Sequence, residues 1–217
     1  QFSFSVDGCW GSLLANFLQR KCDVVNRGFS GYNTRWCNIM IDEVFSEFET
    51  SDIAMVTIFL GANDSNLPDN KHQHVPLVEY KQHLEKMVEK LQNRGISRDK
   101  IVLISPPACD EIAWEQDCIH NDRPFHKCNI SAGEFAKNCV QVAKETGTKY
   151  VDLYTEMMKS EDWRKMLNDG LHLSPRGSEL LFCLLKPHVT KATGHMTMIY
   201  PDWKDIDNGN PELALGS

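Results

Sequence analysis

Apolar positions along the chain follow two different spacings. Segments in which apolar residues recur every three or four positions predict helices, at residues 10–21, 34–48, 77–95, 132–147 and 174–189. Strand-like segments lie at residues 23–28, 99–107 and 150–154, and a continuous apolar run of strand length lies at 53–64. A continuously apolar strand is buried on both faces, which is typical of a parallel sheet. Because helices and strands alternate, the pattern predicts an α/β fold with a parallel sheet.

Local signals predict where several of these elements begin and end. Gly95 lies where the long third helix should stop. Ser174 followed by Pro175 predicts a helix start, because serine caps the first backbone N–H groups and proline fits the first helical position. Residues 106–129 are predicted to form a long loop, and residues around 158–167 a short helix.

The length of 217 residues is sufficient for one sizeable core and does not require two domains. We expect a single domain over residues 1–194. Residues 195–217 are expected to form a tail packed on or beside it, held to the body by Tyr200 and Trp203.

The composition narrows the classes of partner. The formal net charge is −7, and no cluster of Lys and Arg would suit a nucleic acid. No apolar run reaches the roughly 18 residues that a membrane span requires. Eight cysteines without a Cys-x-x-Cys motif favour reduced thiols in a chain of this size, and with them a cytoplasmic location. A targeting signal upstream of Gln1 and assembly into a homo-oligomer both stay open.

Three short segments are predicted to meet at one rim of the sheet. GFSGYNT (28–34) follows the first predicted strand, GAND (61–64) ends the second, and DGLH (169–172) lies beyond the fourth strand and one short helix. Parallel α/β sheets bind ligands beyond the carboxyl ends of their strands. We therefore expect these three segments to form one functional site.

The residue types at this rim suit a hydrolytic reaction. His172 is a candidate general base, because an imidazole titrates at about 6.5, and Asp169 can orient its ring. The Asn63 amide can donate to a developing oxyanion, and the backbone N–H of Gly31 is a candidate second donor. Each feature alone also has a simpler interpretation, since Asp-Gly and Asn-Asp are common turn pairs and glycine often serves only turn geometry.

Taken together, the three segments resemble a known family. GFSGYNT, FLGANDS and DGLHLSPRG resemble the second, third and fifth sequence blocks of the SGNH (GDSL-type) hydrolases, in the same order. Within that family, KCDVVNRGFSGYNTRW, VTIFLGANDS and DGLHLSPRGSELLF look most like the eukaryotic isoamyl-acetate-hydrolysing esterases. The resemblance covers nearly the whole chain.

The resemblance carries expectations about fold and chemistry. It implies a three-layer α/β/α sandwich with a flavodoxin-like parallel sheet, hydrolysis of small short-chain carboxylic esters, and no metal or organic cofactor. It assigns Gly31 and Asn63 to the oxyanion hole, and Asp169 and His172 to the acid and base of a catalytic triad.

One block of the family is not found. The family's nucleophilic serine lies in a Gly-Asp-Ser motif at the end of the central first strand, and in close relatives QFSF follows it almost immediately. Because this chain starts with QFSF, we expect the nucleophile and the first strand to lie upstream of Gln1. The chain would then be an N-terminally truncated form with little activity, since loss of a triad serine costs about 10⁶-fold in turnover.

Two alternatives stay open. Ser30 lies in a strand-to-helix turn, although GFSGY lacks the second glycine of the Gly-x-Ser-x-Gly motif. Ser3 and Ser5 are weaker candidates for the nucleophile. A catalytically inactive form that binds an ester or a protein partner through the remaining pocket is the second alternative.

Two groups of His and Cys residues could in principle bind a metal, but we expect no metal site. The first group lies at the solvated start of a helix and the second lacks a recognised ligand spacing. The groups are His72, His74 and His83, and Cys109, Cys118, His120, His126 and Cys128.

The predicted loop from Pro106 to Asn129 is a candidate wall of the acyl pocket. It carries Trp114, Phe125 and three cysteines. A surface loop packed by its own aromatic residues is an equally good interpretation.

Overall fold

A computed structural model describes residues 8–216, so the candidates Ser3 and Ser5 lie outside the described residues. The helices are α1 (Trp10–Phe17), α2 (Thr34–Val44), α3 (Leu77–Asn93), α4 (Glu111–His120), α5 (Asn129–Thr146), α6 (Leu153–Met158), α7 (Pro175–Thr193) and α8 (Glu212–Leu215). The strands are β1 (Val56–Phe59), β2 (Ile101–Ile104) and β3 (Lys149–Val151). Single turns of 3₁₀ helix lie at Thr50–Asp52, Arg98–Lys100, Trp163–Met166 and Trp203–Asp205.

The described strands form a parallel sheet in the order β1-β2-β3. Val56 lies opposite Ile101, and Ile104 lies opposite Val151. All four residues of β2 are buried, which is typical of a central parallel strand. Burial on both faces was predicted for the apolar run at 53–64, but its strand β1 alternates between buried and partly buried residues. Since all the strands point the same way, their carboxyl ends share one edge of the sheet.

Helices cover both faces of the sheet. Side chains alternate along β2, so Ile101 and Leu103 pack with α2, α3 and α5, whereas Val102 and Ile104 pack with α1, α6 and α7. This arrangement is the three-layer α/β/α fold that the family resemblance implies. Among the described residues, no helix is both long and apolar enough to cross a membrane.

The strand predicted over residues 23–28 is not formed. These residues have no ladder partner, and the Gly28 amide instead donates to Asn26 Oδ1 over 2.9 Å. Within residues 8–216, β1 pairs with β2 and with no other strand, so its outer edge is unpaired there. A strand is defined by inter-strand hydrogen bonds, and apolar residues alone do not supply them.

Two further boundaries differ from the sequence prediction. The predicted loop over 106–129 contains α4, whose Trp114 and Cys118 are buried. The predicted strand over 150–154 ends early, because the Asp152 carboxylate accepts the Thr155 amide and starts α6. The short helix expected over 158–167 is correspondingly replaced by the end of α6 and one 3₁₀ turn.

The tail after α7 contacts the body through its backbone. The Ile199 amide donates to the Arg20 carbonyl over 2.7 Å, and the Arg20 guanidinium donates to the carbonyls of Tyr200 and Pro201. The side chains of Tyr200 and Trp203 are exposed. The aromatic side chains therefore do not pin the tail as predicted, and Tyr200 contributes through its carbonyl instead.

Candidate active site

A pocket of about 470 Å³ lies where the three predicted segments meet, beyond the carboxyl end of β1. Gly31, Asn63 and His172 all line it. Asp169 lies behind His172 and contacts its ring nitrogen. The structure thus brings together the four residues that the sequence assigns to one site.

Asp169 holds the His172 ring in one orientation. The Nδ1 atom of His172 lies 2.6 Å from Asp169 Oδ2, while Asp169 Oδ1 accepts the backbone N–H groups of Leu171 and His172 over 2.9 and 2.8 Å. Partial burial would raise the pKa of Asp169, but these hydrogen bonds lower it to about 2. The ionised carboxylate therefore favours the tautomer with a proton on Nδ1 and leaves Nε2 to take a proton from a nucleophile.

A tight turn presents this pair. Gly170 has a φ of +93°, and its carbonyl accepts the Asp110 amide over 2.8 Å. The Asn168 amide donates to the His172 carbonyl over 2.8 Å, which closes the turn. The Asp-Gly pair is thus a turn and a site component at once, so the two interpretations of the sequence do not exclude each other.

The two candidate oxyanion donors are held by a shared set of hydrogen bonds. Asn63 Nδ2 donates to the Tyr32 carbonyl over 2.8 Å, and Gln73 Nε2 donates to the Gly31 carbonyl over 2.9 Å. Since a carboxamide nitrogen carries two hydrogens, Asn63 can donate to a ligand as well as to Tyr32. The turn at Gly31 and the loop at Asn63 are therefore fixed relative to one another.

Asp64 ties the same loop to α2. Its Oδ1 accepts the Thr34 amide over 2.9 Å and also the Thr34 hydroxyl. The side chain is buried, and burial raises the pKa of Asp64 to about 6 in spite of these bonds. The sequence shows that Asp64 follows Asn63, but it does not show that the Asp64 side chain is buried.

Two residues of the site were not singled out by sequence patterns. Lys127 is buried in the pocket wall, where its Nζ donates to the Ala62 carbonyl, and burial lowers the pKa of Lys127 to about 8. Gln73 accepts from the amides of Asn66 and Asn70 in addition to holding Gly31. Neither residue belongs to a recognised motif. Gln73 lies in the loop that follows Asn63, whereas Lys127 reaches the site because a segment distant in sequence folds back onto Ala62.

Trp114 gives the pocket an aromatic wall. Its ring meets the His172 ring edge-on, with centroids 5.7 Å apart and an interplanar angle of 80°. Phe125 packs against the buried cluster of Cys109, Trp114 and Cys118 and is not a lining residue. Part of the predicted wall therefore lies at the site, although its role in acyl selection stays a prediction.

The histidines considered as metal ligands have separate partners. The His72 ring contacts Trp36, His74 Nδ1 lies 2.6 Å from the Asn66 carbonyl, and His83 Nδ1 lies 3.1 Å from the Thr34 hydroxyl. Between residues 8 and 216 no group of three or more His, Cys, Asp or Glu side chains is placed to hold a metal ion.

Fold and site together define a hydrolase-type arrangement, in which an Asp-His pair borders a pocket that Gly31 and Asn63 also line, at the carboxyl edge of a parallel sheet. The sequence profile of the GDSL-like Lipase/Acylhydrolase family matches residues 3–180. The chain therefore belongs to this family of carboxylic ester hydrolases.

Individual relatives agree with this assignment. The chain is 47% identical to the isoamyl acetate-hydrolyzing esterase 1 homolog of Rattus norvegicus, over 99% of this chain and 87% of that protein. It is 36% identical to a GDSL esterase/lipase of Arabidopsis thaliana, over 96% of this chain and 90% of that protein. The crystal structure of a lipase/acylhydrolase from Enterococcus faecalis superimposes with a TM-score of 0.66, at 24% identity and 89% coverage of both chains. This last similarity supports the fold.

Proposed function

We propose that the site hydrolyses short-chain carboxylic esters by a Ser-His-Asp mechanism. The observation that carries the proposal is the 2.6 Å contact between His172 and Asp169, in a pocket that Gly31 and Asn63 also line. A pocket of about 470 Å³ walled by Trp114 suits a small ester. The rat relative is described as an isoamyl acetate-hydrolyzing esterase 1 homolog, which supports an ester with a short acyl group as the substrate.

Each residue has a defined role in this mechanism. A serine Oγ attacks the ester carbonyl carbon while its proton moves to His172 Nε2, and Asp169 stabilises the imidazolium that forms. The carbonyl electron pair moves to oxygen, where the Gly31 N–H and the Asn63 amide bind the negative charge. Collapse expels the alcohol with the proton from His172, and water then releases the acyl group by the same route in reverse.

The proposed nucleophile is a serine at the carboxyl end of an additional strand beside β1. A groove of about 530 Å³ runs along the outer edge of β1, between that strand and residues 22–29. The groove is lined mainly by apolar side chains. Trp10 and Phe59 line both the groove and the pocket. A strand seated there would have a neighbour on each side, and its last residue would reach the pocket near His172.

An ester-hydrolysis assay tests this proposal. We expect the 217-residue chain to hydrolyse p-nitrophenyl acetate very slowly. A version extended before Gln1 by an apolar strand ending in Gly-Asp-Ser should gain turnover that falls by about 10⁴-fold or more in its His172→Ala variant.

Each failure has a separate meaning. An extended chain without His172-dependent turnover would contradict the esterase function and favour an inactive binding protein. Strong His172-dependent turnover by the unextended chain would instead contradict the added serine, and Ser30→Ala would then test Ser30, which also lines the pocket.

A further inference from the structure

The charge of the pocket is opposite to that of the chain. The formal net charge is −7, yet among residues 8–216 no Asp or Glu lines the pocket. The basic side chains that line it are Arg123, His126, Lys127 and His172. Clustered basic groups in a cleft with low-dielectric walls attract anions.

Most of these basic groups already have an acidic neighbour. Arg123 pairs with Asp117 and stacks on the Trp114 ring. His126 Nδ1 lies 3.0 Å from Asp69 Oδ1. His172 is bound to Asp169, as described above. Each of these three side chains thus has a carboxylate partner within the protein.

Lys127 differs from the other three. The residue is 6% exposed, and within the described part of the chain no carboxylate lies within ion-pair distance of its Nζ. Its Nζ binds a neutral carbonyl, that of Ala62. The Asp64 carboxylate acts on this ammonium from beyond ion-pair distance. A buried ammonium without a directly bound anion is costly to folding, and an anionic ligand in contact with it would reduce that cost.

Apolar groups line the pocket alongside this ammonium. Trp114, Leu171 and Phe59 are lining residues that can contact the carbon atoms of a ligand. Lys127 therefore presents a positive charge in a pocket that otherwise suits a short carbon chain. An ester with a second polar end matches both features.

We propose that the ester bound in this pocket carries a carboxylate in addition to its ester group, and that Lys127 Nζ is the counter-ion of that carboxylate. The proposal rests on the proposed function for the ester itself. The ion pair, however, requires neither the nucleophile nor the base, so it can be measured by binding alone.

Succinate and butyrate are matched probes, because both have four carbons and only succinate has a second carboxylate. At pH 7 we expect isothermal titration calorimetry to show succinate binding about tenfold or more tightly than butyrate, which is within the range for one charge-assisted contact. Lys127→Met should abolish this preference. Lys159→Met should retain it, since Lys159 is an exposed residue paired with Glu156. Equal binding of both probes, or a preference that survives in Lys127→Met, would overturn the proposal.

The pH dependence of the unmutated protein gives a second test, which stands even if Lys127→Met does not fold. Burial lowers the pKa of Lys127 to about 8, so the succinate preference should fade between about pH 7 and pH 9.5 as the ammonium loses its proton, while both probes stay ionised.

The titratable groups whose charges raise the pKa of Lys127 are Cys109, Asp64 and Cys118. Burial raises the pKa of Asp64 to about 6 and that of Cys109 to about 12, so neither has its midpoint in this interval. Burial also raises the pKa of Cys118. A preference that is constant across the interval would contradict the role of Lys127.

The two proposals fail in different ways. In His172→Ala the succinate preference should persist while hydrolysis by the extended chain is lost. If His172-dependent hydrolysis is found but succinate shows no preference, the counter-ion proposal alone is wrong. If succinate is preferred but no His172-dependent hydrolysis occurs, the esterase proposal alone is wrong.

Discussion

Gly170 shows how closely one residue of the site is constrained. Its φ of +93° is unfavourable for residues with a side chain. A Cβ at this position would also lie 2.4 Å from the Trp114 amide nitrogen and 2.5 Å from the Asp110 carbonyl oxygen. The turn between Asp169 and His172 thus packs directly on the start of α4.

We predict that Gly170→Ala destabilises the fold by about 3 kcal/mol, as the sum of positive-φ strain and a backbone clash. The free energy of unfolding, measured in urea, checks this value. Gly147→Ala is the matched control, because Gly147 also has a positive φ (+71°) but the nearest neighbour of its Cβ is a flexible arginine atom at 3.6 Å.

Gly147→Ala should lower the free energy of unfolding by only about 1 kcal/mol, because it introduces the positive-φ strain without a backbone clash. Equal losses in the two variants would show that the contact with α4 is unimportant.

Single residues also show what the sequence can and cannot predict. Gly31, Asn63, Asp169 and His172 were identified because each belongs to a short motif beyond a predicted strand. The structure brings them to one site, and their catalytic roles remain proposals. Lys127 could not be identified in this way, because its significance depends on burial and on the carbonyl that it contacts.

At the scale of elements, predictions based on local signals are the more successful ones. Ser174 was predicted to cap the last long helix, and it does: its Oγ accepts the Gly177 amide and donates to the Lys165 carbonyl. The strand prediction for residues 23–28 is wrong, because a strand needs a hydrogen-bonding partner strand that local sequence does not reveal. Helix α4 was missed because its buried positions are a tryptophan and a cysteine among polar residues, which is a weak periodic pattern.

We predict that Ser174→Ala lowers the free energy of unfolding by about 1 to 2 kcal/mol, because both hydrogen bonds of the capping hydroxyl are lost. Thermal or urea unfolding measures the effect. Ser12→Ala, at an exposed position within α1, should change stability by less than about 0.5 kcal/mol. A cap variant as stable as this control would mean that Pro175 is sufficient to start the helix.

For the whole molecule, the buried carboxyl group of Asp64 links stability to pH. Burial raises its pKa from 3.8 to about 6. A raised carboxyl pKa in the folded state means that folding favours the protonated form. The stabilisation is therefore complete below about pH 4 and is lost as the pH rises through about 6.

We predict that unmutated protein loses about 3 kcal/mol of stability relative to Asp64→Asn between about pH 4 and pH 7.5, since one pKa unit corresponds to about 1.4 kcal/mol. Urea unfolding of both proteins across this range measures the difference. The stability of Asp23→Asn, which changes an exposed carboxylate, should change with pH in the same way as that of the unmutated protein. If the stability of Asp64→Asn shows this same pH dependence, the buried carboxyl group is not its cause.

The groove beside β1 and the pocket have part of their walls in common. Trp10, Gly28, Phe29, Phe59 and Leu60 line both cavities. Because these residues line both cavities, a segment that fills the groove would also contact the wall of the pocket. Under the proposed ester hydrolysis, the length of acyl chain that fits would depend on these shared residues and on the segment in the groove, so a change in that segment would alter selectivity without a change at His172.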